Sequence, residues 1–226
     1  NAALYDDDHT FCFGCGHWES GSEGHTGPIR TSHNHALLQG EYKALRGRRL
    51  TEESCRKFGY RVGQHNGQPV QIATYRDKTG KPCAQKIRTR DKNFSIVGDA
   101  KAMTLYGSHL FSKGRKLVVC EGEIDCISIS QIQGHKWATT SLINGCQSAK
   151  KTLLANYDYL MGFKEIILFF DNDAPGRAAA IECAEALPIG LAKIATLSEY
   201  KDANEALVAG DTKAVIEAIF HAKEHR

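Results

Sequence analysis

The sequence has little net charge and no long apolar run. It contains 29 Lys and Arg against 26 Asp and Glu, a formal net charge of +3. A balance this small does not by itself indicate nucleic-acid binding, so any positive surface has to be local. The longest uninterrupted apolar stretch, residues 166–170, is far too short to cross a bilayer, and no signal peptide is recognisable. We therefore expect a soluble protein of the cytoplasm with no membrane partner.

Internal repeats and low-complexity tracts are also missing, and the first residue is not Met. The 226 residues, 42% of them hydrophobic, suffice for one or two compact domains with a sizeable core. Because the chain opens at Asn1 within what looks like a folded motif, we expect it to be a fragment of a longer protein.

Eight cysteines do not indicate a disulfide framework in this chain. Four of them lie in segments with strand or helix patterns, where a free thiol behaves as a small apolar residue. These four are Cys55, Cys120, Cys126 and Cys183. We expect reduced thiols, as is usual in a reducing compartment.

A Cys-x-x-Cys pair near the start of the chain has the spacing of half a zinc ribbon. Structural zinc needs four ligands, normally from two such pairs, and Cys12 and Cys15 supply only one pair. His9 or His17 could serve as substitute ligands. A pair of free thiols or a redox motif is a further alternative, although the βαβ pattern of a thioredoxin-like fold is absent around the pair.

The region after the Cys pair has two parts. Residues 21–40 are rich in Gly, Ser, His and Thr without an apolar period, which predicts a linker. Residues 41–114 predict a short helix with Thr51 as N-cap, then strands at 70–77 and 83–89 separated by a turn.

Basic residues crowd the second of these strands and its exit, at Lys86, Arg88, Arg90 and Lys92. The first three alternate, so on a strand they would share one face. Such a strip suits a polyanionic substrate. A solvated edge strand, where Lys and Arg discourage aggregation, is the alternative.

From residue 115 onward, strand patterns alternate with helix patterns. This alternation predicts an α/β fold with a largely parallel sheet and helices on both faces. The predicted strands are 116–120, 137–141, 165–170 and 191–197. The predicted helices are 125–133, 149–159, 175–187, 203–208 and 212–222.

Acidic side chains follow three of these strands. Glu121 and Asp125 follow the first, Asp171 and Asp173 the third, and Asp202 the last after a short loop. In open α/β sheets, sites form beyond the carboxyl ends of the strands. Carboxylates this dense repel each other unless a cation neutralises them, and hard oxygen ligands favour Mg²⁺ or Mn²⁺. Each cluster alone could be a solvated loop or a helix N-cap, but the three together predict a divalent-cation site.

Three segments together resemble a Toprim domain: 118–125 (VVCEGEID), 169–177 (FFDNDAPGR) and 201–205 (KDANE). Segments 85–88 (QKIR) and 91–94 (DKNF) are similar to the basic part of a narrower family. That family is the primase half of the primase–helicases of T7-like bacteriophages. One departure is segment 142–145 (LING), which is less glycine-rich than the family's usual turn.

The resemblance implies a specific architecture. A Toprim (Rossmann-like) domain at 115–226 would follow a small α+β basic subdomain at 41–114, a linker at 21–40 and the C-terminal half of a zinc ribbon at 1–20. The family's earlier Cys pair would lie just before Asn1, so Zn²⁺ would bind Cys12 and Cys15 in the intact protein.

The resemblance also implies an activity, DNA-dependent RNA primer synthesis by two-metal nucleotidyl transfer. Glu121, Asp171, Asp173 and Asp202 would be catalytic ligands of Mg²⁺ or Mn²⁺, assisted by Asp125. Lys86 and Lys92 would contact nucleotide phosphates or the template, and Arg88 belongs to the same basic strip.

The implied partners are a single-stranded DNA template, ribonucleoside triphosphates, a C-terminal helicase domain that forms a hexameric ring, and a replicative DNA polymerase. A phage protein would work in the cytoplasm of its bacterial host. Two alternatives remain: another Toprim enzyme, such as a topoisomerase or nuclease, or a non-catalytic primase-like module of a replicative helicase.

Overall fold

The computed structural model describes residues 36–225 with their side chains, together with three short strands before them. The chain divides into two compact units, Asn1–Asn34 and His35–Arg226. In the first unit, three antiparallel strands form one sheet: β1 (Ala2–Leu4), β2 (Thr10–Cys12) and β3 (Trp18–Glu19). The predicted zinc ligands Cys12 and Cys15, and most of the predicted linker, lie outside the residues whose side chains are described.

An antiparallel five-stranded sheet opens the second unit. Its strands, in spatial order, are β4 (Gly40–Glu41), β5 (Tyr60–His65), β6 (Gln68–Arg76), β7 (Pro82–Thr89) and β8 (Phe94–Gly98). The two predicted strands and their turn are confirmed as β6 and β7, whereas β5 and β8 were not predicted. Arg90 lies beyond the end of β7, so the prediction that it shares the strand face with Lys86 and Arg88 is wrong.

The helix α1 (Glu52–Phe58) begins and ends as its sequence dictates. The Thr51 hydroxyl accepts a hydrogen bond from the Ser54 N–H, as the N-cap prediction requires. Gly59 ends the helix in the left-handed region, at φ 70°, where the absence of a Cβ removes the steric penalty.

The second five-stranded sheet is the predicted α/β layer. Its spatial order is β10 (Ala138–Ser141), β9 (Gly114–Cys120), β11 (Phe163–Phe169), β12 (Ala192–Ile194) and β13 (Lys223–Glu224). The first four strands are parallel, which confirms the prediction. β13 pairs antiparallel with β12 and was not predicted, because the last helix was expected to run to residue 222.

Six helices accompany this sheet: α2 (Glu123–Ile132), α3 (Ala149–Ala155), α4 (Tyr157–Leu160), α5 (Ala174–Glu185), α6 (Ala203–Ala209) and α7 (Thr212–Phe220). The helix predicted over 149–159 is broken at Asn156, whose side-chain amide donates to the Thr152 carbonyl. Within the described part of the chain, none of the helices is long and apolar enough to span a membrane.

The central strands bury both faces, because alternate residues point to opposite sides of the sheet. Val118 and Ile167 join one apolar cluster with α2, α6 and α7, while Leu117 and Ile166 join another with α3 and α5. Helices therefore cover both faces, as expected for parallel strands.

The antiparallel sheet shares the first of these clusters. Phe58, Tyr60 and Tyr75 are buried in the same core as Val118 and Ile127. Residues 36–225 consequently form one folded unit, in which the two sheets are fixed relative to each other.

Asn204, on α6, links α2 to the segment that precedes α1 by hydrogen bonds. Its side-chain amide donates to the Arg48 carbonyl and the Ser128 hydroxyl at 2.9 Å each, and its oxygen accepts from the Arg48 guanidinium at 3.0 Å. Its backbone N–H donates to the Asp125 carboxylate. The residue is 1% exposed, so any partner left unpaired here would stay unsatisfied by water.

We predict that Asn204→Ala lowers the free energy of unfolding by about 2–4 kcal/mol, since several buried groups lose their partner. Urea unfolding measures the change. The matched control is Asn93→Ala, at an exposed position, which should change it by less than about 0.5 kcal/mol. Equal effects of the two substitutions would contradict the linking role of Asn204.

Candidate functional site

Glu121 directly follows the buried end of β9 and bridges two neighbouring strand ends. Its Oε1 accepts the Cys146 N–H at 3.3 Å, and its Oε2 accepts the Asp171 N–H at 3.4 Å. Cys146 lies in the loop after β10, and Asp171 follows β11. The side chain therefore points along the carboxyl edge of the sheet, towards the second acidic cluster.

Asp171 and Asp173 face a common point. The Lys201 ammonium lies 3.3 Å from Asp171 Oδ2 and 3.2 Å from Asp173 Oδ2. Asp173 is also the N-cap of α5, and its other oxygen accepts the Gly176 N–H at 2.9 Å. The i, i+2 spacing thus brings both carboxylates within reach of one cation, as the extended-chain argument predicts.

The pKa values of these two carboxyl groups are shifted in opposite directions. Burial, and then the charge of Glu121, raise the pKa of Asp171 to about 6. For Asp173 the hydrogen bond from the Gly176 amide and the pairing with Lys201 hold the pKa below its ordinary value. Pairing with Asp173 and Asp171 in turn raises the pKa of the Lys201 ammonium. Ionised Asp171 is therefore the less favoured of the two carboxylates, first because it is buried and then because Glu121 repels it.

The remaining predicted ligands lie on the third acidic cluster and the start of α2. Asp202 is the N-cap of α6, and its Oδ1 accepts the Glu205 N–H at 2.7 Å. Asp125 accepts the Asn204 N–H at 3.0 Å. Burial, and then the neighbouring Asp202, raise the pKa of Asp125 well above its ordinary value. All five predicted ligands thus lie at the same edge of the sheet.

The five carboxylates do not form a closed metal cage. Across residues 36–225, no three Asp, Glu, His or Cys side chains are gathered closely enough to hold a metal ion as they stand. Lys201 occupies the position between Asp171 and Asp173. The donor set nevertheless fits Mg²⁺ or Mn²⁺, because it consists of hard oxygens and because the raised pKa of Asp171 marks negative charge that a cation would relieve.

Besides Lys201, whose pairing with the two carboxylates was not predicted, Asn172 and Gly176 shape this edge and were missed from the sequence. The Asn172 N–H donates to the Lys201 carbonyl at 2.6 Å, and its side chain donates to the Leu197 carbonyl. A Cβ added to Gly176 would lie 2.2 Å from the Asp171 carbonyl oxygen, so only glycine lets α5 approach the loop this closely. A glycine in the first turn of a helix was the available signal, because glycine disfavours helix.

The predicted basic residues have different surroundings. The Lys86 ammonium lies 2.9 Å from the carboxylate of Glu123 and donates to the Ile143 carbonyl at 2.9 Å. Tyr75 also donates to Glu123. Lys86 therefore ties β7 to α2 and to the loop beside Glu121, whereas Lys92 is exposed in the turn before β8. Contacts of Lys86, Arg88 and Lys92 with a nucleotide or template stay predictions.

Comparisons with known proteins agree with this architecture. Residues 40–98 match the family model of the bacteriophage T7 DNA helicase/primase N-terminal α+β fold, and residues 118–207 match a Toprim-like model. The crystal structure of the primase fragment of the bacteriophage T7 primase-helicase is 37% identical, with a TM-score of 0.78, over 96% of this chain and 93% of that one. The chain belongs to the primase family of T7-type phage primase–helicases.

Two further comparisons agree with this assignment. The DNA helicase/primase of Enterobacteria phage T3 is 37% identical over 97% of this chain, and the chain spans 41% of that protein's length. One chain in a structure of T7 lagging-strand DNA polymerase interacting with primase domains bound to an RNA/DNA hybrid and dTTP is 41% identical to this chain. Its TM-score is 0.78, over 82% of this chain and 94% of that one.

Because burial and Glu121 disfavour ionised Asp171, we predict that Asp171→Asn stabilises the metal-free protein. The folded-state pKa of about 6 lies above the unfolded value of 3.8, so ionising Asp171 opposes folding. The gain should grow between pH 4 and pH 6 and level off above, at no more than about 3 kcal/mol. Urea unfolding in EDTA at several pH values measures it.

The control for this prediction is Asp173→Asn. Since the folded-state pKa of Asp173 is lowered, its ionisation favours folding, and the substitution should destabilise the protein at pH 8. Two variants that shift stability in the same direction at pH 8 would contradict the charge assignment.

A separate prediction concerns Gly176. Gly176→Ala forces its Cβ into the backbone of Asp171, so we expect a loss of about 2 kcal/mol or more in the free energy of unfolding. Gly47→Ala, where an added Cβ meets nothing within 4 Å, is the control and should be near neutral. Thermal unfolding of both variants measures the change in stability. If Gly176→Ala unfolds as the wild type does, the close approach of α5 to the loop is contradicted.

Proposed function

We propose that this chain synthesises short RNA primers on a single-stranded DNA template, as the primase part of a phage replication protein. The observation that carries the proposal is the meeting of Glu121, Asp171 and Asp173 at one sheet edge, beside a basic antiparallel sheet in the same folded unit. Membership of the T7-type primase family supports the assignment.

The proposed cofactor is Mg²⁺, with Mn²⁺ as a substitute. Glu121, Asp171 and Asp173 would hold it, with Asp202 and Asp125 completing the site. When bound, such ions lower the pKa of the attacking hydroxyl and stabilise charge on the phosphorus and the leaving pyrophosphate.

The chain's own residues have distinct proposed tasks. Glu121, oriented by the amides of Cys146 and Asp171, is proposed as a ligand of the ion or as the general base that accepts the proton of the primer 3′-hydroxyl. Asp171 is mostly ionised above about pH 6, its pKa, so at neutral pH it is available as an anionic ligand. Lys201 neutralises Asp171 and Asp173 until a cation arrives and can then face the phosphates.

The basic residues would bind the polyanionic substrates. Arg88 and Lys92 are proposed to hold template or nucleotide phosphates. Lys86 is proposed to do so while it also positions the loop after β10 through the Ile143 carbonyl. Ribonucleoside triphosphates are the proposed second substrate.

Further parts of the proposal concern the intact protein. We propose domains at 1–20, 21–40, 41–114 and 115–226, with Zn²⁺ on Cys12 and Cys15 together with a pair preceding Asn1. A C-terminal helicase domain would form a hexameric ring, and a replicative DNA polymerase would receive the primers, in the cytoplasm of a bacterial host. A solved complex of T7 polymerase with primase domains supports the polymerase partner.

Primer synthesis with Mg²⁺ and labelled ribonucleotides tests the function. Both de novo synthesis and extension of a short annealed RNA should be measured, because extension depends less on template-start recognition. Glu121→Gln and Asp171→Asn should each lower the extension rate by at least about 100-fold.

The matched control is Asp158→Asn, an exposed acid on α4, the helix that precedes β11 and so lies at the opposite edge of the sheet. It should extend the RNA at the wild-type rate. Wild-type protein that extends no primer, or acidic-site variants that extend normally, would disprove the proposed function.

A further inference from the structure

Two exposed apolar side chains share a strand face with two cations. Arg88 pairs with Phe94, and Lys86 pairs with Ile96, across β7 and β8, so all four side chains project to the same side of the sheet. Phe94 is 56% exposed and Ile96 is 38% exposed. Large apolar residues that cluster on an exposed face indicate a binding surface.

This face runs from the protein core out to solvent. Tyr75 and Ala84 lie on its inner half, where both are buried in the core cluster shared with the parallel sheet. Lys86 comes next and reaches the Ile143 carbonyl, in the loop that leads to the Cys146 amide on Glu121. The outer half, with Phe94, is therefore connected through Lys86 to the loop that carries the Cys146 amide.

The charges on this face indicate which kind of ligand it binds. The Lys86 ammonium lies 5.1 Å and the Arg88 guanidinium 5.7 Å from the centre of the Phe94 ring. Arg90 and Lys92 lie in the turn between the two strands. An apolar partner would have to strip water from these cations. A single-stranded nucleic acid offers them phosphates, and offers the ring a base to stack on.

We propose that Phe94, held beside Arg88, is a stacking platform for a base of the single-stranded template that leads to the carboxylate site. The inference rests on the proposed function for the identity of the strand as template. The exposed ring supplies sequence-tolerant stacking, and the neighbouring cations hold the adjacent phosphates.

Binding of a short fluorescein-labelled single-stranded DNA, followed by anisotropy at several salt concentrations, tests the platform. Phe94→Ala should weaken binding by about 5- to 100-fold. The slope of log K against log salt should not change, because no charge is removed. Arg88→Gln should instead lower that slope by about 0.7.

The matched control is Phe220→Ala, on α7, where the ring is 76% exposed and where no Lys or Arg among residues 36–225 lies over the ring. It should bind the DNA as the wild type does. If Phe94→Ala binds the DNA with wild-type affinity, or if Phe220→Ala weakens binding to the same extent, the proposal that Phe94 is a stacking platform is wrong.

Tryptophan fluorescence reports stacking directly. In a background with Trp18 and Trp137, the two tryptophans of the chain, changed to Phe, Phe94→Trp should be quenched by the DNA and Phe220→Trp should not. If the fluorescence of Phe94→Trp is blue-shifted without DNA and does not change when DNA is added, the side chain is buried by protein. That result would overturn the proposal.

The same variants separate this inference from the function on which it rests. If the wild type makes primers while Phe94→Ala binds DNA and makes primers equally well, the platform fails and primase activity stands. If the wild type makes no primers but Phe94 still governs DNA binding, the platform stands and the proposed function fails.

Discussion

Repulsion between carboxylates at the carboxyl edge of the parallel sheet is the constraint around which this molecule is arranged. The protein opposes it with backbone amides, which donate to Glu121, Asp125, Asp173 and Asp202, and with the single ammonium of Lys201. Compensation is incomplete, since burial and neighbouring charge still raise the pKa of Asp171. The raised pKa of Asp171 supports the proposal that a divalent cation binds at this edge.

Packing in the rest of the fold fixes the position of this acidic edge. The parallel strands bury both faces, and the antiparallel sheet packs into the same core. Asn204 then ties α6 and α2 to the segment before α1, and the Lys86–Glu123 ion pair ties β7 to α2. A buried ion pair adds little net stability, but it costs much to break and so specifies one arrangement. Strand β8, which pairs with β7, is thereby held in the same folded unit as the acidic edge.

Much of this could be predicted from the sequence, for identifiable reasons. Buried parallel strands give uninterrupted apolar runs, and acids directly after such runs must meet at one edge, so Glu121, Asp171 and Asp173 were predictable. The edge strands β8 and β13 were not, because β8 is short and leaves its apolar Phe94 and Ile96 exposed, and β13 is too short to show any pattern. Lys201 was also missed as a counter-ion, since nothing local in a sequence tells which distant carboxylate an ammonium will reach.

The claim that these carboxylates jointly bind a divalent cation is tested most directly by titrating Mn²⁺ into the protein and following free Mn²⁺ by electron paramagnetic resonance. The account predicts a site in the wild type that Glu121→Gln and Asp171→Asn each weaken at least about tenfold, the effect of roughly 1.4 kcal/mol of lost attraction. Asp158→Asn should leave it intact. Equal Mn²⁺ affinity in all four proteins would contradict the account.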